Sequence, residues 1–217
     1  MSLLEVLKFP DPRLRNKGVP VGTVAEEHKV LAENMLETMY AEKGIGLAAI
    51  QVGVSVRLLV IDTRPKDSEA GVEPSADASG ISSEDEETFV DEMASAKERY
   101  DLSDGPTELE QKVNQPIVIY NPEIVDKKGK TTFQEGCLSV PGYFETVQRH
   151  EYIEVNGLDR EGKPLNLKLD GLLSICMQHE IDHLDGKVFI DRLSPIKSNR
   201  LKSKIKKLGY PEKKENG

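Results

Sequence analysis

The apolar positions along the chain follow two different periods. Leu31, Met35 and Met39 recur every fourth residue up to Gly44, and Thr23 with Glu26 makes a capping-box pattern ahead of them, which predicts a first long helix. A glycine-rich run from Gly44 through Gly46 and Gln51 to Gly53 then gives way to Val56-Arg57-Leu58-Leu59-Val60-Ile61-Asp62, predicting a tight turn that leads into a strand. From about Thr63 to Gln115 periodicity is lost and Ser, Glu, Asp, Gly and Pro accumulate, as in a solvated insertion, with a short helix expected near Phe89 to Tyr100. Strand signals resume at Pro116 to Tyr120, Thr131 to Gln134, Glu145 to Gln148, Ile153 to Leu158 and Leu165 to Leu169, with Asp159-Arg160-Glu161-Gly162 as a turn. They predict a meander of short antiparallel strands. A second helix is expected from Asp170, its N-cap, to Gly186; Leu172, Leu173, Ile175, Cys176, Ile181 and Leu184 make it apolar on most sides, so it should be central and buried. A third opens at Ser194 with Pro195 in its first turn and carries one stripe, Leu201, Ile205 and Leu208, before Gly209.

Composition changes this picture in one place. The 217 residues suit one domain with additions, spanning 1–217, rather than two full domains. Between Arg64 and Lys112 there are 15 Asp/Glu and 5 Lys/Arg, whereas the whole chain has a net charge of -9, so the remainder is close to neutral. Overall acidity belongs to the insertion at about 64–115 and says nothing about nucleic acid. The C-terminal segment is the opposite: Arg192 to Gly217 holds 9 Lys/Arg and 2 Asp/Glu, which makes the polar face of the third helix, at about 194–209, strongly basic. Two cysteines in dissimilar contexts argue against a disulfide scaffold; Met1 to Pro12 lacks a basic stretch followed by an apolar run, so no targeting leader is expected, and no apolar run in this sequence approaches membrane-spanning length. A cytoplasmic protein is expected, with no membrane or DNA partner.

The chemistry is concentrated on the second helix. His179 and His183 are four residues apart, which places both imidazoles on one face, suited to chelating one metal ion. Glu180 beside them can take a proton from water and return it to a leaving amine. Histidine, glutamate and aspartate on an otherwise apolar helix are costly to bury unless a metal or hydrogen bonds satisfy them. Catalytic centres of this kind use about three protein ligands and a water. No histidine follows His183, so the third is sought upstream at Cys137, in Gln134-Glu135-Gly136-Cys137-Leu138-Ser139-Val140-Pro141, where Gly and Pro bracket the thiol. Taken alone, such a residue is more often a buried structural cysteine. Cys176 is the rival; it lies about 10 Å along the helix axis from His183, at ~1.5 Å per residue, too far for a short thiol to share an ion with both histidines. The glycine-rich run reads either as a packing turn or as a backbone strip that can pair with an extended peptide, with the Gln51 amide donating to an oxyanion.

Taken together, Gly44-Ile45-Gly46-Leu47-Ala48-Ala49-Ile50-Gln51, Glu135-Gly136-Cys137-Leu138-Ser139 and His179-Glu180-Ile181-Asp182-His183-Leu184-Asp185-Gly186 resemble the three signature motifs of the peptide deformylases, intact and in order. The resemblance extends to Phe9-Pro10-Asp11-Pro12-Arg13-Leu14-Arg15 and covers most of the chain outside roughly 64 to 115. It implies an α+β fold in which antiparallel β-strands surround a central motif-bearing helix, with a C-terminal helix. It also implies hydrolysis of the N-formyl group from formyl-methionyl nascent peptides, releasing formate. Carried onto this chain, Cys137, His179 and His183 bind one divalent metal ion, ferrous iron (Fe2+) first, with Zn2+, Ni2+ or Co2+ as substitutes. Glu180 is then the general base and acid, and Gln51 and the Leu138 N–H stabilise the oxyanion. The main chain at Ile45 and Gly46 pairs with substrate, and Ile45, Leu172, Ile175, Cys176 and the His179 ring line a methionine pocket. A thiolate suits iron or zinc and tempers the metal's Lewis acidity, with air oxidation of iron as the liability. Two features depart from the family pattern: the acidic insertion, and Gly142-Tyr143-Phe144 where some relatives place an arginine that binds the substrate backbone. The basic third helix resembles an extension that docks some deformylases on the ribosome, a partner that counter-charge attraction to RNA phosphates would favour.

Overall fold

The computed structural model of the chain describes residues 2–64 and 105–211. The elements named below belong to the unit made by residues 1–63 and 106–217. Most of the acidic insertion, with the short helix expected near Phe89 to Tyr100, lies outside the described residues.

Helix α1 spans Glu26–Ala41, starting later than the Thr23 and Glu26 pattern suggests. Ala25 precedes it in an extended conformation, and its N–H donates to Nδ1 of His28 at 3.0 Å. An imidazole reaching back one turn thus takes the place of the expected capping box. Ala32, Met35, Leu36 and Met39 form the buried stripe.

Seven strands follow: β1 (Gly46–Ala48), β2 (Leu58–Ile61), β3 (Ile117–Lys128), β4 (Thr131–Glu135), β5 (Glu145–Arg149), β6 (Tyr152–Leu158) and β7 (Pro164–Leu169). Every pairing among them is antiparallel. Five make one sheet in the order β1-β2-β3-β6-β7, which puts β1 at an edge, while β4 and β5 pair with each other as a separate ribbon. The expected meander is therefore interrupted. The inward residues of the ribbon explain why it stands apart: Glu135, Val147 and Arg149 are buried on it, and two of these three are charged, so the ribbon packs against a polar helix face rather than extending an apolar sheet.

The centre of the sheet is covered on both faces. All four residues of β2 are buried, and the period of two sorts them. Leu58 and Val60, with Val118 and Tyr120, pack on α1; Leu59 and Ile61, with Ile117, Ile119, Ile153 and Val155, pack on helix α2 (Gly171–Leu184) through Leu173, Cys176, Met177, Ile181 and Leu184. That arrangement explains the unbroken apolar runs in the sequence.

Every α2 residue from Leu173 to Leu184 is buried, as its composition suggests. Asp170 is its N-cap residue, as expected, but the Asp170 side chain makes no capping bond. The Asp170 carboxylate accepts from the Thr107 hydroxyl at 2.6 Å, and Glu110 satisfies the helix end by accepting the Leu173 N–H at 2.9 Å. Gly171 there has φ 53, and a Cβ on it would lie 2.8 Å from the Glu110 carboxylate. The last residues before β3 are thus joined to the central helix.

Helix α3 (Pro195–Leu208) is capped by Ser194, whose hydroxyl accepts from the Lys197 N–H at 3.5 Å. Leu201 and Ile205 are buried against Val140, Val188, Phe189 and Ile190, in a cluster that Cys137 borders. The stripe stops there: Leu208 is 64% exposed, because the last turn runs past the apolar patch.

Candidate metal centre

On α2 the two histidine rings lie at 74° with centroids 4.9 Å apart and their Nε2 atoms 3.2 Å apart. The loop from β4 to β5 brings in Cys137, whose Sγ is 3.2 Å from Nε2 of His183. The three donor atoms lie within 4.8 Å of one another, the one such group of three among the described residues. Cys176 does not join them. Its Sγ faces the Ile45 carbonyl oxygen at 3.7 Å, and burial, with Glu180 and Glu135 nearby, pushes its thiol well above the usual range.

The donor set fits a divalent cation. His179 Nδ1 donates to Glu135 Oε2 at 2.8 Å, which turns its Nε2 lone pair inward toward the other two donors. Burial opposes charge on His179, but its hydrogen bonds with Cys137 and Glu135 outweigh burial and raise its pKa well above the ordinary value. His183 goes well below the ordinary value, because burial and the neighbouring His179 charge both oppose protonation. Three inward-facing donors this close together can share one metal ion, with sulfur and imidazole suiting iron or zinc.

Glu180 is 3% exposed and its Oε2 is buried without a hydrogen-bond partner. Burial pushes its carboxyl up to about 7, against the lowering effect of a charged His179. It sits directly over β1: a Cβ on Gly46 would fall 2.4 Å from Glu180 Oε1 and 2.8 Å from Cys176 Sγ, so only glycine allows this approach. Gln51, on the turn after β1, is fixed at its oxygen by the Ala48 N–H at 2.8 Å. Its Nε2 points to Ser139 Oγ at 3.2 Å and to Cys137 Sγ at 3.5 Å. Leu138 follows the cysteine, with its side chain against Gly44. Leu172 is half-buried and Ile175 buried on the first turns of α2, and both stand outside the three apolar clusters; half-buried Ile45 packs on the cluster that contains Cys176.

Sequence reasoning left the support of His179 unassigned. Arg149 donates through Nε and Nη2 to Glu135 at 2.6 and 2.9 Å and through Nη1 to Asp182 at 2.5 Å; Arg192 Nε donates to Asp182 at 2.9 Å. Burial raises the Glu135 pKa, but the Arg149 and His179 hydrogen bonds prevail and hold it down at about 2. Asp182 is likewise lowered, by Arg192 and Arg149 against burial. One signal was readable: on β5 the alternation makes 147 and 149 inward positions, and an arginine at an inward position needs buried acid partners.

A family model described as polypeptide deformylase matches residues 3–199. The chain is 41% identical over 208 residues to a peptide deformylase of Alkalilimnicola ehrlichii, covering 96% of this chain and 92% of the relative. It is 39% identical over 213 residues to one of Tolumonas auensis, covering 98% and 100%. Among solved structures, the peptide deformylase of Ehrlichia chaffeensis superposes with TM-score 0.72 at 35% identity, covering 98% of this chain and 99% of that one, and another structure of it is a complex with actinonin. The chain belongs to the polypeptide deformylase family. It is a metal-dependent hydrolase that removes the N-formyl group from nascent peptides.

The buried acids set a pH dependence of stability. Glu135 has a folded pKa of about 2 against an ordinary carboxyl value of 4.5, so its contribution is complete above 4.5 and is lost as pH falls from there toward 2. Urea unfolding of the metal-free protein should show stability declining through this window. In Glu135→Gln the decline should be shallower and stability at pH 7 lower; an identical pH profile would show that the carboxylate is not held in this way.

Proposed function

We propose that this deformylase hydrolyses its formyl amide at an ion held by Cys137, His179 and His183, with Glu180 moving the protons. The observation that carries the reading is the placement of Glu180, a buried carboxylate between the three converging donors and edge strand β1. β1 offers an edge with which an extended peptide can pair through the main chain near Ile45 and Gly46. The first side chain then falls toward Ile45, Leu172, Ile175, Cys176 and the His179 ring, an apolar lining that suits methionine. When bound, the ion supplies Lewis acidity to the carbonyl and makes water easier to deprotonate. Glu180 takes a proton as the water oxygen bonds to the formyl carbon. Gln51 Nε2 and the Leu138 N–H donate to the carbonyl oxygen as it becomes anionic. Glu180 then protonates the amide nitrogen, the C–N bond breaks, and formate and a free amine leave. Ferrous iron is the physiological ion in this reading, with zinc, nickel and cobalt as substitutes, and the cytoplasm, where formylated chains emerge, is the working compartment. The basic face of α3, which carries Lys197, Arg200, Lys204, Lys206 and Lys207 exposed, would hold the enzyme on ribosomal RNA.

Glu180→Gln preserves size beside Gly46 while removing the base. It should keep one metal per chain and lose formate release from a formyl-methionyl peptide by about 10²–10⁴-fold. Full activity in this variant would refute the assignment, and cleavage of an unformylated peptide by the unaltered enzyme would point to a peptidase. The iron form should lose activity in air while the zinc form keeps its own; equal activity of the iron form after aerobic and anaerobic handling would remove the case for iron. Because Leu201 and Ile205 belong to the core, the ribosome contact is better tested by charge than by truncation. Lys204→Glu with Lys206→Glu and Lys207→Glu should abolish low-salt co-sedimentation with ribosomes, and unchanged co-sedimentation would end the idea.

A further inference from the structure

A carboxylate that orients a metal-binding imidazole is only as well fixed as the groups that hold it. Glu135, which fixes His179, takes guanidinium bonds from Arg149 alone among the described residues, and Arg149 divides its donors between Glu135 and Asp182. Asp182 is in turn gripped on both oxygens by Arg192, through Nε at 2.9 Å and through Nη2. The side chains of Arg149, Glu135 and Asp182 are 2%, 3% and 5% exposed, and that of Arg192 is 44% exposed. A line of four alternating charges therefore runs from the centre to the surface.

The charge count shows what its outer member does. Two buried carboxylates face two guanidinium groups. Without Arg192, one guanidinium would serve both acids, and Asp182, left with Arg149 as its only cation in this line, would compete with Glu135 for it. Glu135 would then hold the His179 ring less firmly. Arg192 closes the short 3-10 turn Phe189–Arg192, two residues before the cap of α3. It borders a groove of about 550 Å³ shared with Arg149, His150, Gln178 and Asp182, so shortening its side chain opens no sealed cavity.

We propose that Arg192 is a positioning residue of the metal centre: by neutralising Asp182 it leaves Arg149 to clasp Glu135, which in turn fixes His179 for the metal. The inference rests on the reading of Cys137, His179 and His183 as the ligands. It ties the base of α3 to one of those ligands through a continuous set of ion pairs.

The test is zinc release from the full chain, followed with a chelator, together with the visible spectrum of the cobalt-loaded protein. Arg192→Ala should release zinc about tenfold faster than the unaltered protein and shift the cobalt bands. Arg192→Lys, which keeps the charge and loses the fork, should fall between the two. Arg15→Ala breaks the neighbouring ion pair with Asp191, off this line, and should release zinc at the unaltered rate. Equal rates for the unaltered protein and Arg192→Ala, or the same acceleration in Arg15→Ala, would overturn the inference while leaving the ligand assignment standing. If Arg192→Ala does not fold, Arg192→Lys decides, and the unaltered rate in that variant is the contrary result. Zinc binding undiminished in His179→Ala would overturn the ligand reading and this inference with it.

Discussion

Burying α2 while it carries Gln178, His179, Glu180, Asp182 and His183 is the constraint on which the rest of the structure depends. A buried polar group without a partner costs about 1–3 kcal/mol, more if charged, and a domain of this size holds only about 5–15 kcal/mol in reserve. Five such groups left unsatisfied would consume that margin. Each surrounding element supplies part of the remedy. Gln178 closes on the His150 backbone, the β4–β5 ribbon contributes Glu135 and Arg149, and the connection to α3 contributes Arg192. The ribbon separates from the main sheet because its inward side is charged to match the helix.

What remains after these bonds are made is the functional residue of the fold. Nε2 of both histidines and the Cys137 sulfur face one another, and Glu180 Oε2 has no partner. These are the atoms that a metal ion and a water-derived proton can satisfy. Stability and chemistry thus draw on the same helix: most of its polar groups are paired, Glu180 Oε2 and His183 Nδ1 are left without a partner, and Glu180 lies against the edge strand where an extended peptide can lie.

The sequence was legible where one local rule decides the outcome. The helix periods located α1, α2 and α3, and the spacing of His179 and His183 gave two donors, because one helical turn needs nothing from the rest of the chain. Proline and serine likewise marked the start of α3. Legibility failed where a distant partner decides. Glu110, in a stretch without periodicity, caps α2; Arg149 and Arg192 lie far apart in sequence and meet at Asp182; β4 and β5 have ordinary strand signals and yet leave the sheet. Cys137 falls between these cases. Local pattern left it open between ligand and core, family resemblance chose ligand, and the fold sets its sulfur 3.2 Å from a histidine nitrogen.

The central claim is that one sulfur and two imidazole nitrogens, from a loop and one buried helix, form an open metal site. X-ray absorption of the zinc-loaded protein addresses it directly. The account predicts a first shell of one sulfur at about 2.3 Å and two nitrogens, with the remaining light-atom scatterer from solvent, at about 2.0–2.1 Å, and loss of the sulfur in Cys137→Ser. A shell with two sulfurs, which would draw in Cys176 and close the site, or one without sulfur, would contradict it.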